Sequence, residues 1–212
     1  MRSLRELFIA PNRKSRFHTE RGQLMPLPAW VRLPMNVLLR MLGRTDGGPW
    51  IVPSAVGHLE QIMRPHGQVF EFGSGYSTAW YAARSAWVVS LEHDAKWLRD
   101  AKQRCQDAGL ANCELRRTDL EDFPQAINEF PDEAFDLVVV DGQDTGITDR
   151  THCVAAAATK VRRGGHLLLD DSDNVRYRVV NDVLSGWRVR RFTGMKPFPL
   201  VATETSIYQR PL

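Results

Sequence analysis

Three things this chain has little of bound it before any motif is read. No apolar run approaches the roughly 20 residues that a helix needs to cross a bilayer. Near the N-terminus, Arg5 and Glu6 interrupt the short apolar stretches that a signal peptide would keep whole, so a cytoplasmic protein is expected. Its three cysteines, Cys105, Cys113 and Cys153, form no Cys-x-x-Cys pair. Neither a zinc cluster nor a disulfide framework is indicated, and reduced thiols are the expectation. Charge of one sign is scarce too, because 28 Lys and Arg against 25 Asp and Glu leave a formal charge of +3. That is too mild for the concentrated basic stripe of a nucleic-acid binder. No internal repeat and no low-complexity segment is present.

What is there is 212 residues, 43% hydrophobic and 25% charged, enough for one sizeable core and short for two. Residues 1–49 differ from the rest. They are basic and proline-punctuated, with Arg13, Lys14, Arg16 and Arg21 ahead of Pro26-Leu-Pro-Ala-Trp-Val-Arg-Leu-Pro34 and an apolar stretch, Met35–Leu42, that suits a short helix. Three roles suit such a segment: peripheral contact with an acidic membrane surface, a lid over its own active site or a neighbouring subunit's in a homo-oligomer, or packing on the domain with the arginines solvated. Packing is the commonest of the three.

Over residues 50–212, helical and strand-like segments alternate as in βαβ units, which predicts a parallel sheet with helices on both faces. Strands are expected at Gln68–Phe72, Trp87–Leu91, Cys113–Arg117, Phe135–Val140, Leu167–Leu169, Trp187–Phe192 and Thr205–Gln209. Helices are expected at Pro53–Met63, Tyr76–Arg84, Asp94–Ala108, about 149–162 and about 174–184, with Asp94 capping the third. The fourth is expected to close at Arg163-Gly-Gly165 through a left-handed cap. The last two strands, joined through Met195-Lys-Pro-Phe-Pro199, read as an antiparallel hairpin at the sheet edge.

The densest motif is Val69-Phe-Glu-Phe-Gly-Ser-Gly-Tyr-Ser-Thr78. A strand buried on both faces gives way to a Gly-x-Gly turn and then to a helix, so Gly73 and Gly75 let the backbone turn sharply and approach a ligand that a Cβ would exclude. Nineteen residues after Gly73, the next apolar run ends in Glu92, a spacing suited to a carboxylate that grips ribose hydroxyls. Two cofactor classes use this geometry. A dinucleotide brings a pyrophosphate to the helix N-terminus and favours a third small residue, whereas here that position is Thr78 and Glu71 stands two residues before the first glycine. A carboxylate there repels a pyrophosphate and attracts a cationic sulfonium or amino group.

On those residues the chain resembles the class I S-adenosylmethionine-dependent methyltransferases, with the glycine loop as their motif I and Glu92 as the acid that ends strand two. The resemblance implies a Rossmann-like, seven-stranded, mostly parallel sheet whose last strand is antiparallel. It implies that Glu71 and the loop Gly73, Ser74, Gly75, Tyr76, Ser77 and Thr78 face the methionine moiety, that Glu92 takes the ribose, and that Asp119 takes the adenine amino group. His93 would lie beside the adenosine. An NAD-type oxidoreductase and a non-catalytic S-adenosylmethionine-binding module are the alternatives.

Glu71, Glu92, Asp119, Asp141, Asp170 and Asp171 all fall at or near the C-terminal ends of predicted parallel strands, where open α/β sheets bind ligands. Singly, such acids are usually caps and turn formers. Asp141 and the Asp170-Asp171 pair are similar to the acids with which catechol-type O-methyltransferases hold magnesium, and that likeness implies a divalent cation on Asp141, Asp170 and Asp171. Two departures stand against it: Asp171 replaces an Asn, and Asp144 replaces the lysine that serves as base. A second resemblance, to methyltransferases of sugar hydroxyls including polysaccharide 4-O-methyltransferases, rests on Asp141-Gly-Gln143, Arg150 with Cys153, and Leu169-Asp-Asp-Ser-Asp-Asn174 with Tyr177. It implies a small-molecule or carbohydrate hydroxyl as acceptor, Asp141 or Asp170 as general base, and Arg150 as holder of an anionic group on the substrate. Arg150 could instead make an ordinary surface pair. Neither the Asn-Pro-Pro-Tyr segment of amino-methylating DNA enzymes nor the paired-glutamate loop of protein arginine methyltransferases occurs.

Overall fold

A computed structural model describes residues 12–31, 34, 48–144, 150–197 and 200–212. The stretch around Arg5 and Glu6 and the helix expected over Met35–Leu42 lie outside the described residues.

The chain forms one seven-stranded sheet. In chain order the main elements are α1 (Pro53–Ile62), β1 (Gln68–Phe72), α2 (Tyr76–Ala82), β2 (Trp87–Glu92), α3 (Ala95–Asp107), β3 (Cys113–Arg117), α4 (Phe123–Ala126), β4 (Phe135–Val140), α5 (Arg150–Ala157), β5 (Val161–Leu169), α6 (Val180–Val183), β6 (Arg188–Met195) and β7 (Ala202–Gln209). The strand order is β3-β2-β1-β4-β5-β7-β6. β1 to β5 pair in parallel, and β7 inserts antiparallel between β5 and β6. The hairpin of the last two strands is therefore present, with β6 at the edge and β7 inside.

The central strands are buried on both faces, and their side chains alternate between two cores with period two. Phe70 and Phe72 of β1, Val138 and Val140 of β4, and Leu167 and Leu169 of β5 pack with Phe123, Val154 and Tyr177 on one face. Val69, Leu137, Val139 and Leu168 pack with Leu59 and Tyr81 on the other. Register fixes the height of the strand ends: Phe72 pairs with Leu91 and Val140, and Val140 pairs with Leu169. The residues that follow, Gly73, Glu92, Asp141 and Asp170, therefore emerge at one level.

One predicted boundary is corrected. The helix expected to run to residue 162 stops at Ala157, and β5 already starts at Val161. Gly164 and Gly165 form a bulge inside β5 opposite the Phe135/Leu137 register shift. A Cβ on Gly165 would stand 2.9 Å from the Arg162 carbonyl oxygen and 3.0 Å from that of Asp136. The glycines serve close backbone approach, a bulge signal that a helix cap imitates in sequence.

The N-terminal segment lies at the edge of the sheet where β5 and β6 end. Residues 18 and 24 form an isolated antiparallel bridge, Met25 is buried against Met195 and Ala202, and Arg13 Nε donates to the Ala202 carbonyl at 3.2 Å. The Glu20 amide donates to Asp173 Oδ2 at 2.7 Å, and Arg21 donates to the Ser172 carbonyl at 2.7 Å. Its described part packs on the domain, with Arg13 and Arg21 engaged in these contacts and not left to solvent alone.

Candidate active site

The glycine turn is held by contacts that leave Gly73 no substitute. Its φ is +99°, and a Cβ would stand 2.7 Å from Gly142 Cα and 2.9 Å from the Asp141 carbonyl oxygen. The amides of Gly73 and Ser74 both donate to the Leu91 carbonyl at 2.9 Å, folding the turn over the end of β2. Gly75 is different: a Cβ there would meet no protein atom within 4 Å. The space beside it is open to a ligand, which is the cradle the motif calls for.

Glu71 is fully buried under this turn. Its Oε1 accepts from Ser77 Oγ at 2.5 Å, and its Oε2 accepts from Thr78 Oγ1 at 2.6 Å and Ser90 Oγ at 2.5 Å. The Gly75 amide in turn donates to Thr78 Oγ1 at 3.1 Å. Burial raises the Glu71 pKa, and the three hydroxyls pull it back. Glu71 does not line the cavity beside the glycine turn, because strand alternation places it on the face covered by α2. There it ties the turn, the start of α2 and β2 together.

Gly73, Ser74, Gly75, Tyr76, Ser77, Glu92, His93 and Asp141 line one cavity of about 340 Å³. Thr78 belongs to the Glu71 network beneath. Asp119 is exposed at the start of the turn Leu120–Asp122 and does not line the cavity. A larger cavity of about 780 Å³ is lined by Arg64, Arg162, Arg188 and Arg190 and holds none of the predicted site residues. Glu92 is 5% exposed. Its Oε1 accepts from the Asp94 amide at 2.8 Å and lies 2.9 Å from His93 Nδ1. Burial raises its pKa, while the Asp94 amide and His93 lower it. With one oxygen so engaged, the second is the one suited to a ribose hydroxyl.

Trp50, Trp97 and Lys196 also line this cavity and were not among the predicted residues. Trp50 stacks on Tyr76 at 4.5 Å between centroids, Trp97 meets Trp50 edge-on at 5.8 Å, and the Arg104 guanidinium lies 3.5 Å from the Tyr76 ring centre. Such stacking makes a firm apolar wall. A sequence signal was available only for Tyr76, which sits inside the motif.

Beside the wall, the structure gathers Asp141, Asp170, Asp171 and Arg150, as the sequence implied, and adds a lysine. Lys196 is 6% exposed. Its Nζ donates to Asp170 Oδ2 and, at 3.0 Å each, to both oxygens of Asp171. Thr205 Oγ1 donates to Asp170 Oδ1 at 2.7 Å, and Thr203 Oγ1 donates to Asp171 Oδ1 at 2.8 Å. Asp171 sits at φ 51°, a left-handed conformation that Asp tolerates better than most residues. Arg150 donates from Nε to the Gly142 carbonyl at 2.9 Å and from NH1 to the Asp170 carbonyl at 2.7 Å, and its NH2 lies 3.1 Å from Asp141 Oδ1. Arg150 is therefore neither a surface pair nor a free anion receptor. Its donors clamp the ends of β4 and β5.

These charges set the protonation states. Asp171 is held well below the usual carboxylate range, because Lys196, Arg150 and Thr203 outweigh its burial. Burial would neutralise Lys196, but Asp170, Asp171 and Asp141 keep it a firm cation. Asp141 goes the other way: burial and the charge of Asp170 push it up to about 8 against the pull of Arg150 and Lys196. Asp144, in the place of the expected lysine base, accepts from Tyr177 Oη at 2.6 Å and pairs with Arg176.

The donor set does not fit the implied divalent cation. The Lys196 ammonium lies among the carboxylates that would ligate it, with three hydrogen bonds to Asp170 and Asp171, and Arg150 is 3.1 Å from Asp141. Magnesium needs several oxygens pointing inward at about 2.0–2.1 Å. Among the described residues no three His, Cys, Asp or Glu side chains converge in that way. Likewise, no described helix is long and apolar enough to cross a membrane, and Cys105, Cys113 and Cys153 form no disulfide among the described residues.

Residues 70–172 match the family described as a methyltransferase domain. Among solved structures, the O-methyltransferase TomG of Streptomyces achromogenes, crystallised with S-adenosylmethionine, is 18% identical, covers 82% of this chain and 86% of its own, and superposes with a TM-score of 0.63. An O-methyltransferase from Bacillus cereus in complex with S-adenosylhomocysteine is 17% identical, with 85% and 90% coverage and a TM-score of 0.61. An rRNA methylase from Streptococcus thermophilus is 15% identical, with 75% and 95% coverage and a TM-score of 0.60. No curated protein matches the chain by sequence search.

Proposed function

We propose that this chain, whose residues 70–172 match a methyltransferase-domain family, is a class I S-adenosylmethionine-dependent methyltransferase that methylates a hydroxyl of a small molecule or carbohydrate in the cytoplasm. The observation that carries this reading is the position of Asp141. Its carboxylate lines the same cavity as the glycine turn and Glu92, and its raised pKa suits a general base working near neutral pH.

Each side chain has a task in this reading. Gly73 and Gly75 leave room for the cofactor, and the second oxygen of Glu92 takes a ribose hydroxyl. Trp50, Tyr76 and Trp97 exclude water from one side of the cavity. Bound S-adenosylmethionine supplies an electrophilic methyl group on a sulfonium. Asp141 accepts the hydroxyl proton as the acceptor oxygen forms its bond to that methyl carbon and the sulfur–carbon bond breaks. Arg150 acts through Asp141, which it orients at 3.1 Å. Alcohols are weak acids, so holding the oxygen in line contributes much of the rate.

Calorimetry with S-adenosylmethionine, followed by an S-adenosylhomocysteine release assay over hydroxyl, amine and RNA oligonucleotide acceptors, tests the reading. Turnover confined to hydroxyl compounds is expected. Binding without turnover on any acceptor would leave a non-catalytic module, and turnover on the amines or the RNA would replace the acceptor class.

A further inference from the structure

The acid-rich edge poses a charge problem that the usual metal solution does not answer. Three carboxylates, Asp141, Asp170 and Asp171, gather at the ends of β4 and β5, two of them bonded to one ammonium and all within reach of one guanidinium. Unpaired buried carboxylates are costly, so some cation must belong to the fold. Two residues supply it, and they differ in where they stand. Arg150 clamps the Gly142 and Asp170 carbonyls and Asp141, and it does not line the cavity. Lys196 bonds Asp170 and straddles both oxygens of Asp171 at 3.0 Å each, so one N–H shared between those two oxygens leaves a third donor, and its side chain lines the cavity that contains Asp141, the glycine turn and Glu92.

The sheet explains why a lysine from so late in the chain arrives there. β7 runs antiparallel between β5 and β6, so the turn from β6 into β7 lies at the edge where the parallel strands end. Lys196 follows Met195, the last residue of β6, and its amide donates to the Val201 carbonyl at 3.2 Å across that turn. Thr203 and Thr205, on β7, bind the carboxylates Asp171 and Asp170 from the side. The ammonium is thus fixed by packing, hydroxyls and two carboxylates before any ligand enters, which is the preorganisation that a charge-stabilising group needs.

We propose that the Lys196 ammonium is the acceptor-side cation of this enzyme, occupying the position that a divalent metal would need and binding the acceptor oxygen as Asp141 removes its proton. The proposal rests on the hydroxyl-acceptor reading. An alcohol oxygen gains negative character as its proton leaves, and a cation beside it is favourable. An attacking amine gains positive charge, and the same ammonium disfavours it. Lys196 therefore supplies both the charge that a metal would supply and a bias for oxygen over nitrogen. It does not exchange a proton in the cycle, because its three carboxylate neighbours keep it protonated. The proton passes from the acceptor to Asp141, and the electron pair of the broken sulfur–carbon bond stays on sulfur.

The test has two arms that do not depend on each other. Manganese titration followed by electron paramagnetic resonance needs no acceptor: the wild type is expected to bind no ion at this edge, and Lys196→Ala, which leaves the carboxylates without their ammonium, is expected to bind one. Should the alanine variant not fold, Lys196→Met combined with Asp171→Asn removes one charge of each sign and serves for the second arm. There, wild-type turnover is expected to be unchanged by EDTA, and the double variant is expected to keep its affinity for S-adenosylmethionine while losing at least tenfold in kcat. Wild-type manganese binding at this edge, turnover abolished by EDTA and restored by magnesium, or a loss below tenfold would each overturn the role of Lys196. Absence of hydroxyl turnover in the wild type, with the manganese result as expected, would remove the acceptor reading and leave the built-in cation standing.

Discussion

Gly73 and Gly142 touch backbone to backbone, with the place of a Gly73 Cβ only 2.7 Å from Gly142 Cα. The contact locks the turn after β1 to the turn after β4, and so the cofactor side of the cavity to Asp141. Gly73→Ala adds a clash to the strain of φ +99°, and a loss of roughly 2–4 kcal/mol is expected from the two together. Gly75→Ala meets no protein atom, so its melting temperature is expected to stay within about 2 °C of wild type. It should instead weaken S-adenosylmethionine at least tenfold by calorimetry. Equal stability of the two variants would refute this division of labour.

Glu92→Gln keeps the size of the side chain and one oxygen while removing the charge. A hydrogen bond to a charged group is worth about 1.5–3 kcal/mol, so a loss of roughly tenfold to a hundredfold in cofactor affinity is expected. The bond from the Asp94 amide to Oε1 survives in the glutamine, so the fold should be spared. Unaltered affinity would take Glu92 out of the ribose site.

The strands and the strand-end acids are legible in the sequence because apolar, β-branched runs and Gly-x-Gly turns are local signals, whereas the strand order is implied only by the family resemblance. Glu71 shows where local reading stops: its position in the motif was visible, but which side of the turn it serves depends on Ser90, from another strand. Lys196 is less legible still. It stands in a proline-containing loop with no motif around it, and only the insertion of β7 between β5 and β6 brings it to the acids. Trp50 and Trp97 follow the same logic, since an aromatic ahead of α1 and one on α3 meet each other and Tyr76 only once the chain is folded. Asp119, by contrast, occupies a recognisable strand-end position and yet stays exposed, because the chain leaves β3 in a short turn that carries it away from the cavity.

The raised pKa of Asp141 gives two pH dependences of opposite sign. As a base, Asp141 works only when ionised, so kcat is expected to rise with pH through about 8. For stability, a carboxyl whose folded pKa lies above its unfolded value of about 3.9 binds more protons in the folded state. Its contribution is full below the unfolded pKa and is lost as pH climbs through the folded one. Asp141→Asn is expected to lower kcat by about 10²- to 10⁴-fold and to flatten the decline in stability between about pH 4 and 8. A wild-type kcat that is level across this range would remove Asp141 as the base.

Asp173 is the joint between the N-terminal segment and the sheet. It is 1% exposed; its Oδ2 accepts from the Glu20 amide at 2.7 Å, and its Oδ1 accepts from Thr203 Oγ1 at 2.6 Å and the Glu204 amide at 3.1 Å. The single Thr203 hydroxyl proton is shared between Asp173 Oδ1 and Asp171 Oδ1, the latter at 2.8 Å, so the chain of contacts runs from residue 20 to the acids beside the cavity. Asp173→Ala leaves the Glu20 and Glu204 amides without this partner, and about 1–3 kcal/mol of stability is expected to go with each buried donor left unpaired. The loss should be uneven. Amide exchange is expected to quicken at Glu20, whose amide is bonded to Asp173, and at Met25, which is buried against Met195 and Ala202, while Val69, Val89 and Val139 in the central strands keep their protection. Uniform quickening across the sheet would mean that residues 12–25 are part of the cooperative core, and that Asp173 holds the whole domain and not its N-terminal strap.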